Sequence, residues 1–384
     1  MPLDALQLAR ELVALPSESS VSNRPVSKRV EEVLRELGFE TEVISYQDIT
    51  GASKDSVVGR FGQSSIARPA SGGMAYFAHS DTVPGTPWHS VEHDAFDPVV
   101  QQGRLYGRGT CDMKGSLASM LAAASRLDPG KVERPLYVIV TADEEVGYGG
   151  AQAVASESAF YAELIAREKI HAIVGEPTLL QVVYAHKGGA AFRAVAHGEP
   201  AHTSTAEGSN ANWKLVPFLT TMRELLQETE ADARWRDDEF EPALVNLTIS
   251  ISDDHPAMNV KAAYAECRGA FRQSPKTDTE GLLQSIRAAA VDCGLEFEQL
   301  GVFEPVYTEP AAETVTTMVE LAGVDSPTTV PYGTDASALS GLREVVICGP
   351  GSIDQAHKHD EWIAVDQLQA GADLYQRCAE RWCY

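Results

Sequence analysis

The chain lacks any C-x-x-C pair; its six cysteines, Cys111, Cys267, Cys293, Cys348, Cys378 and Cys383, are scattered. That spacing fits neither a disulfide framework nor a thiolate zinc site. Cationic residues are scarce, with 31 Lys and Arg against 55 Asp and Glu and a formal charge of −24. Nucleic acid and anionic membranes both need a basic face, so neither is an expected partner. The acidity itself reads as solubility. No apolar run approaches the ~20 residues of a membrane-spanning helix. The opening Met1-Pro-Leu-Asp-Ala-Leu has neither the basic stretch nor the apolar core of a secretory signal, so a reduced, cytoplasmic setting is expected. Tandem repeats and low-complexity tracts are absent.

What is present is enough chain for two cores: 384 residues exceed one ordinary domain. Amphipathic spacing predicts helices over 4–15, capped near Asp4 and stopped by Pro16, and over 25–37, closed by Gly38. A strand is expected at 39–45, and residues 61–73, rich in Gly, Ser and Pro, read as a loop or hairpin turn. Short apolar runs at 74–78, 136–140, 171–174 and 345–348 suit strands buried on both faces, as in a parallel sheet. Helices are expected at 114–127, 151–169 and 365–381.

The apolar runs share one habit: each runs into residues able to bind or move protons. The first ends in His79-Ser-Asp81, the second in Asp143-Glu144-Glu145, the third in Gly175-Glu176-Pro177, and the last leads to His357. Asp112 stands directly before the Ala-rich helix that starts at Lys114. In open α/β sheets, ligands sit beyond the carboxyl ends of the strands. Each feature alone has a bland reading, Asp112 as a helix cap and the acidic triplet as a solvated loop. Together they bring His79, Asp112, Glu144, Glu145, Glu176 and His357 to one sheet edge, where so many acids without a cation would repel one another. Two imidazoles, several carboxylates and no thiolate suit a pair of Zn²⁺ or similar ions.

Residues 181–296 change character. Strand-like runs at 181–186, 190–196, 243–251 and 262–271 flank helical runs at 212–228 and 279–293. The expected order β-β-α-β-β-α reads as a separate α+β domain inserted into the first. The expected division is 1–180 and 297–384 for the catalytic domain and 181–296 for the insert.

Taken together, these motifs resemble the M20 family of di-zinc metallopeptidases and deacylases. The resemblance rests on Ala78-His-Ser-Asp-Thr-Val-Pro84, Leu105-Tyr-Gly-Arg-Gly-Thr-Cys-Asp-Met-Lys-Gly115, Ala142-Asp-Glu-Glu-Val-Gly147, Gly175-Glu-Pro177 and Gly349-Pro-Gly with Ala356-His357. Within the insert it rests on Gly198-Glu-Pro-Ala-His-Thr-Ser204, Asn259-Val260 and Phe271-Arg272. It implies an α/β fold with a mixed, mostly parallel sheet flanked by helices and an inserted ferredoxin-like dimerisation or lid domain. By resemblance, His79 and Glu176 hold one metal, Glu145 and His357 the other, and Asp112 bridges them. Zn²⁺ is implied, with Co²⁺ or Mn²⁺ able to substitute. Asp81 orients His79, Glu144 is the general base, and His202 stabilises the oxyanion in a homodimeric partner's site. Arg272, Asn259, Gly333 and Thr334 resemble groups that bind a substrate α-carboxylate, with Lys187 a further candidate.

The chain departs from the family pattern at Thr205-Ala206, at Ala270 and at His359, the last an alternative ligand to His357. Cys111 is expected to be a packed thiol, and His171, His186 and His197 to serve structure or lie on the surface. Trp88 and His89 fall in a loop beside the site. Within the family the chain looks most like the acetylornithine deacetylases of arginine biosynthesis, with succinyl-diaminopimelate desuccinylases or a dipeptidase or carboxypeptidase as alternatives. A catalytically silent metal- or amino-acid-binding protein is the alternative of another class, and Glu144 speaks against it, because a silent protein needs no base.

Overall fold

The computed structural model describes residues 2–62, 71–90 and 92–384, and the chain divides into two compact units. One comprises Met1–Ala185, Tyr307–Thr328 and Thr334–Tyr384; the other comprises His186–Val306 and Thr329–Gly333. Most of the loop expected at 61–73, residues 63–70, lies outside the described residues.

The larger unit opens with α1 (Ala5–Val13), whose N-cap Asp4 accepts from the Gln7 N–H, and α2 (Arg24–Glu36). Strands β1 (Glu40–Gln47), β2 (Ser53–Phe61) and β3 (Met74–His79) follow, then the short β4 (Val99–Gln101) and β5 (Arg104–Tyr106). After α3 (Lys114–Ala124) come β6 (Leu136–Thr141), α4 (Gly149–Glu157), α5 (Ala159–Ile165), β7 (His171–Pro177) and β8 (Val183–His186). The C-terminal part adds β13 (Val306–Tyr307), α8 (Glu313–Ala322), β14 (Thr328–Val330), β15 (Val345–Gly349), β16 (Trp362–Ala364) and α9 (Val365–Cys383). The main sheet runs β1-β2-β6-β3-β7-β15-β8-β13, with β14 pairing β8. Its four central strands, β6, β3, β7 and β15, are parallel to one another, so their carboxyl ends share one edge. The outer pairings β1–β2, β2–β6 and β15–β8 are antiparallel.

The central strands read as unbroken apolar runs because they are covered on both faces. Every residue of β3, β6 and β7 is buried, and so is every residue of α3, which packs against α1 and α9. The Ala-rich sequence of α3 lets neighbouring elements approach on all sides, as a helix without a polar face requires.

The smaller unit has its own core of Phe192, Phe218, Phe271, Ile286 and their neighbours. Its elements are β9 (Gly188–His197), α6 (Ala211–Ala231), β10 (Asn246–Asp253), β11 (Tyr264–Gln273), α7 (Thr279–Asp292) and β12 (Glu296–Phe303). The order is therefore β-α-β-β-α-β, and the sheet runs β10-β11-β9-β12, the ferredoxin-like arrangement. This differs from the expected β-β-α-β-β-α at both ends. Residues 183–186 belong to a strand of the main sheet, and a strand at 296–303 completes the small one. Only Lys187 separates β8 from β9, so composition marks no break there. The helix expected over 151–169 is two, because Ser158 ends α4 and its hydroxyl accepts from the Tyr161 N–H to start α5. Strand β2 has no counterpart in the sequence reading.

Candidate metal centre and active site

The parallel strands deliver the site. β3 ends at His79, in register with Thr141 at the end of β6, and β7 carries Glu176 as its penultimate residue. Beyond β6 the chain turns sharply: Asp143 and Tyr148 have φ of 58° and 64°, and Glu144–Val146 form a 3-10 turn between them. Asp143 holds the left-handed conformation with its side chain engaged, accepting from Tyr46 Oη (2.7 Å) and pairing with the buried Lys54 Nζ (2.8 Å). Lys54 also donates to the carbonyls of Ser19 and Val21. Gly150 packs against this turn; a Cβ there would lie 2.3 Å from the Ala142 carbonyl oxygen, so only glycine lets α4 start so close.

His79, Asp112 and Glu145 each place one ligand atom within 4.8 Å of the others. His79 Nε2 lies 3.0 Å from Asp112 Oδ1 and 3.8 Å from Glu176 Oε1. On the other side, His357 Nε2 lies 2.9 Å from Glu145 Oε2 and 3.4 Å from Asp112 Oδ2. Asp112 thus reaches both imidazoles, one with each oxygen. Two atoms bound to one tetrahedral ion at 2.0–2.2 Å sit about 3.4 Å apart, so these separations fit ligands around divalent ions. Glu145 Oε1 is buried without a hydrogen-bond partner among the described residues, which also fits a cation. His79 Nδ1 lies 3.0 Å from the Asp81 carbonyl oxygen, so Nδ1 carries the proton and Nε2 offers its lone pair. The Asp81 carboxylate lies 3.6 Å from the same ring nitrogen and accepts from the Glu144 N–H (3.1 Å), the Glu145 N–H (3.3 Å) and Ser19 Oγ (2.8 Å). It fixes the turn that carries the two acids.

The electrostatics follow from crowding. Burial raises the Glu144 carboxyl well above its ordinary range, with Glu176, Asp335 and Glu145 adding to the rise and His79 opposing it. Burial and Asp112 do the same to Glu176. Burial pulls His79 down, but the Asp112 hydrogen bond and the charges of Glu176, Asp112 and Glu144 carry it well above the usual histidine range. His357 is held at about 10 by its hydrogen bonds to Asp112 and Glu145. Asp112 goes down, because those same imidazoles outweigh its burial. Anions that resist ionising beside imidazoles that resist neutralising mark a pocket short of positive charge.

Three ionisable residues at this edge complete the surroundings: Lys54 and Glu361, which motif reading passed over, and Asp335, in the same loop as the expected substrate contacts Gly333 and Thr334. Asp335 is buried, accepts from Thr141 Oγ1 and is raised to about 7 by burial. Lys54 lies in β2 beside Asp55, and Glu361 is an acid just before β16. The buried Glu361 carboxylate accepts from the backbone N–H groups of Gly109, Cys111 and Asp112 and pairs with Arg108. A buried charge flanking a motif is the only signal that sequence offers for Glu361.

The remaining expected residues have the following places. His359 does not turn toward the carboxylates: its Nδ1 lies 2.8 Å from the Pro87 carbonyl oxygen and its ring lies over His89. The Cys111 thiol is buried, donates to the Ser352 carbonyl and is pushed up by burial, so it is neither ligand nor nucleophile. Thr334 is buried, its hydroxyl capping the Asp335–Ser337 turn, with the half-buried Gly333 before it. In the smaller unit, His202 is exposed and bridges to Val260; its Nδ1 accepts from the Ser204 N–H, which leaves the proton on Nε2 as a free donor. Asn259 is exposed beside it, its carbonyl accepting from Thr203. Arg272 is exposed on β11, over the Phe303 ring. Lys187 is buried and its ammonium donates to the carbonyls of Pro242 and Leu244.

The model of peptidase family M20/M25/M40 matches residues 75–381. An acetylornithine deacetylase of Myxococcus xanthus is 32% identical over 97% of this chain and 96% of its own. A second, from Proteus mirabilis (strain HI4320), is 29% identical over 98% and 96%. Among solved structures, an M20 family metallo-carboxypeptidase from Sulfolobus solfataricus superposes with a TM-score of 0.77 at 17% identity, covering 98% of this chain and 99% of that one. Among the described residues, no helix is long and apolar enough to cross a membrane. With the family model spanning most of the chain and a relative 32% identical over nearly all of it, this protein belongs to the M20 metallopeptidase and amidohydrolase family.

Proposed function

We propose that this enzyme removes the acyl group from an N-acyl amino acid, with N-acetyl-ornithine as first substrate, in arginine biosynthesis. The observation that carries the reading is the set His79, Asp112, Glu145, Glu176 and His357 gathered at one sheet edge with Glu144 among them. The names of the two curated relatives supply the substrate class.

His79 and Glu176 would hold one divalent ion, Glu145 and His357 a second, with Asp112 shared, and Zn²⁺ suits this nitrogen and oxygen donor set. Bound ions would polarise the amide carbonyl and bring the pKa of a water down to about 7. Glu144, whose carboxyl the crowded pocket raises, is the base that takes the water's proton and returns it to the departing nitrogen. Asp81 keeps Glu144 and Glu145 in place through their backbone N–H groups. The Nε2–H of His202 is a donor for the developing oxyanion, and in a homodimer it would serve the other subunit's site. Arg272 grips the substrate carboxylate with a bidentate fork, helped by Asn259, Gly333 and Thr334. We assign Lys187 to holding its own loop, since its ammonium already has two carbonyl partners.

The test is hydrolysis by metal-reconstituted protein of N-acetyl-ornithine, N-succinyl-diaminopimelate and a simple dipeptide. Preference for the acetyl compound is expected; turnover of the dipeptide alone would make the enzyme a peptidase. Glu144→Ala should keep its metal content and lose about 10²–10⁴ in kcat. A variant with wild-type turnover would refute Glu144 as the base.

A further inference from the structure

We propose that Glu361, paired with Arg108, is the positioning residue that ties the Asp112 segment to the His357 segment and so sets the geometry of the metal centre. The proposal rests on the metal-centre reading of the ligand set above. Glu361 lies four residues after His357 and is 1% exposed. Its Oε1 accepts from the Cys111 N–H (2.8 Å) and the Asp112 N–H (3.0 Å). Its Oε2 accepts from the Gly109 N–H (3.0 Å) and Arg108 Nη1 (2.8 Å). One carboxylate therefore holds three of the four backbone donors between Gly109 and Asp112, in the loop that ends in the shared ligand.

Arg108 extends the tie in two further directions. Its Nη1 also donates to the Lys358 carbonyl, next to His357, and its Nε donates to the Pro84 carbonyl, in the segment that follows His79 and Asp81. Both partners of this ion pair are buried, and both carboxylate oxygens have two donors. A buried pair so fully hydrogen-bonded is strongly disrupted by removing one member, because the other is left without compensation. The segments cannot find substitutes locally: Gly109 is left-handed, with φ of 85°, and the N–H groups of Cys111 and Asp112 point at one atom. Loss of the carboxylate would release Asp112, the one ligand that reaches both imidazoles.

The decisive experiment compares the wild-type protein with Glu361→Gln and Arg108→Lys for Zn²⁺ affinity, by competition with a chromophoric chelator, and for the visible spectrum of the Co²⁺-loaded protein. Gln has the same shape but turns an amide N–H₂ toward backbone donors. Glu361→Gln is expected to weaken Zn²⁺ binding by about 10–100-fold and to alter the Co²⁺ bands, with kcat falling and KM little changed. Arg108→Lys retains the charge and leaves the three backbone bonds to Glu361, so a smaller loss of affinity is expected. If it folds where Glu361→Gln does not, its altered Co²⁺ spectrum still supports the tie, and an unaltered one refutes it. Folded Glu361→Gln with wild-type affinity and spectrum, differing only in melting temperature, would overturn the proposal. Wild-type protein that binds no ion would instead overturn the metal reading itself.

Discussion

At the scale of single residues, chemistry here is set by partners more than by residue type. Asp143, Glu144 and Glu145 are consecutive acids with three fates: Asp143 pairs with Lys54, Glu145 faces His357, and Glu144 is left with a raised carboxyl. Sequence brought the triplet to the site but not Lys54, which lies in a distant strand with no motif around it. His186 shows the opposite situation, an imidazole kept neutral. Burial, assisted by Arg272, lowers it to about 4 from its ordinary 6.5. Its folded pKa lies below its unfolded one, so the unfolded chain binds the extra proton first. Stability is therefore lost as pH falls from 6.5 towards 4, by about 3 kcal/mol at most. His186→Asn should flatten that limb in denaturant titrations across this pH range; an unchanged slope would assign the acid sensitivity elsewhere.

At the scale of elements, the turn after β6 depends on close approach. Gly150→Ala places a methyl against the Ala142 backbone, which has no flexible end to move aside. The expected cost is about 2–3 kcal/mol, read as a lower urea midpoint, with kcat reduced as the 143–146 turn shifts. Equal midpoints would mean that α4 slides without loss. The four central strands were legible because burial on both faces writes an apolar run, and their exits were legible because acids and histidines follow directly. β2 was not, since Ser53-Lys-Asp-Ser mixes polar residues into a strand that has Lys54 buried for charge reasons. β12 was missed because it alternates charged and apolar residues beside a helix and leaves most of its length exposed. The β8–β9 boundary has no composition signal, as both strands are buried and one residue separates them. His357 and His359 cannot be separated by spacing either; the left-handed backbone at His357 (φ 61°) turns one ring toward Glu145 while Pro87 captures the other.

At the scale of the molecule, two units with separate cores should not melt as one. The proposed metal ligands all belong to the larger unit. Chelation should therefore lower one calorimetric transition and leave the other in place. Each ion contributes about 2.7 kcal/mol when its free concentration is 100 times Kd. A single transition that moves as a whole would show the units to be coupled in unfolding. The two imidazoles also differ in access: the His79 side chain is 1% exposed and that of His357 is 56% exposed. The centre thus has a floor and a doorway. With ions bound as proposed, the one beside His357 is the more open to a chelator, so partial chelation is expected to remove it before the one beside His79.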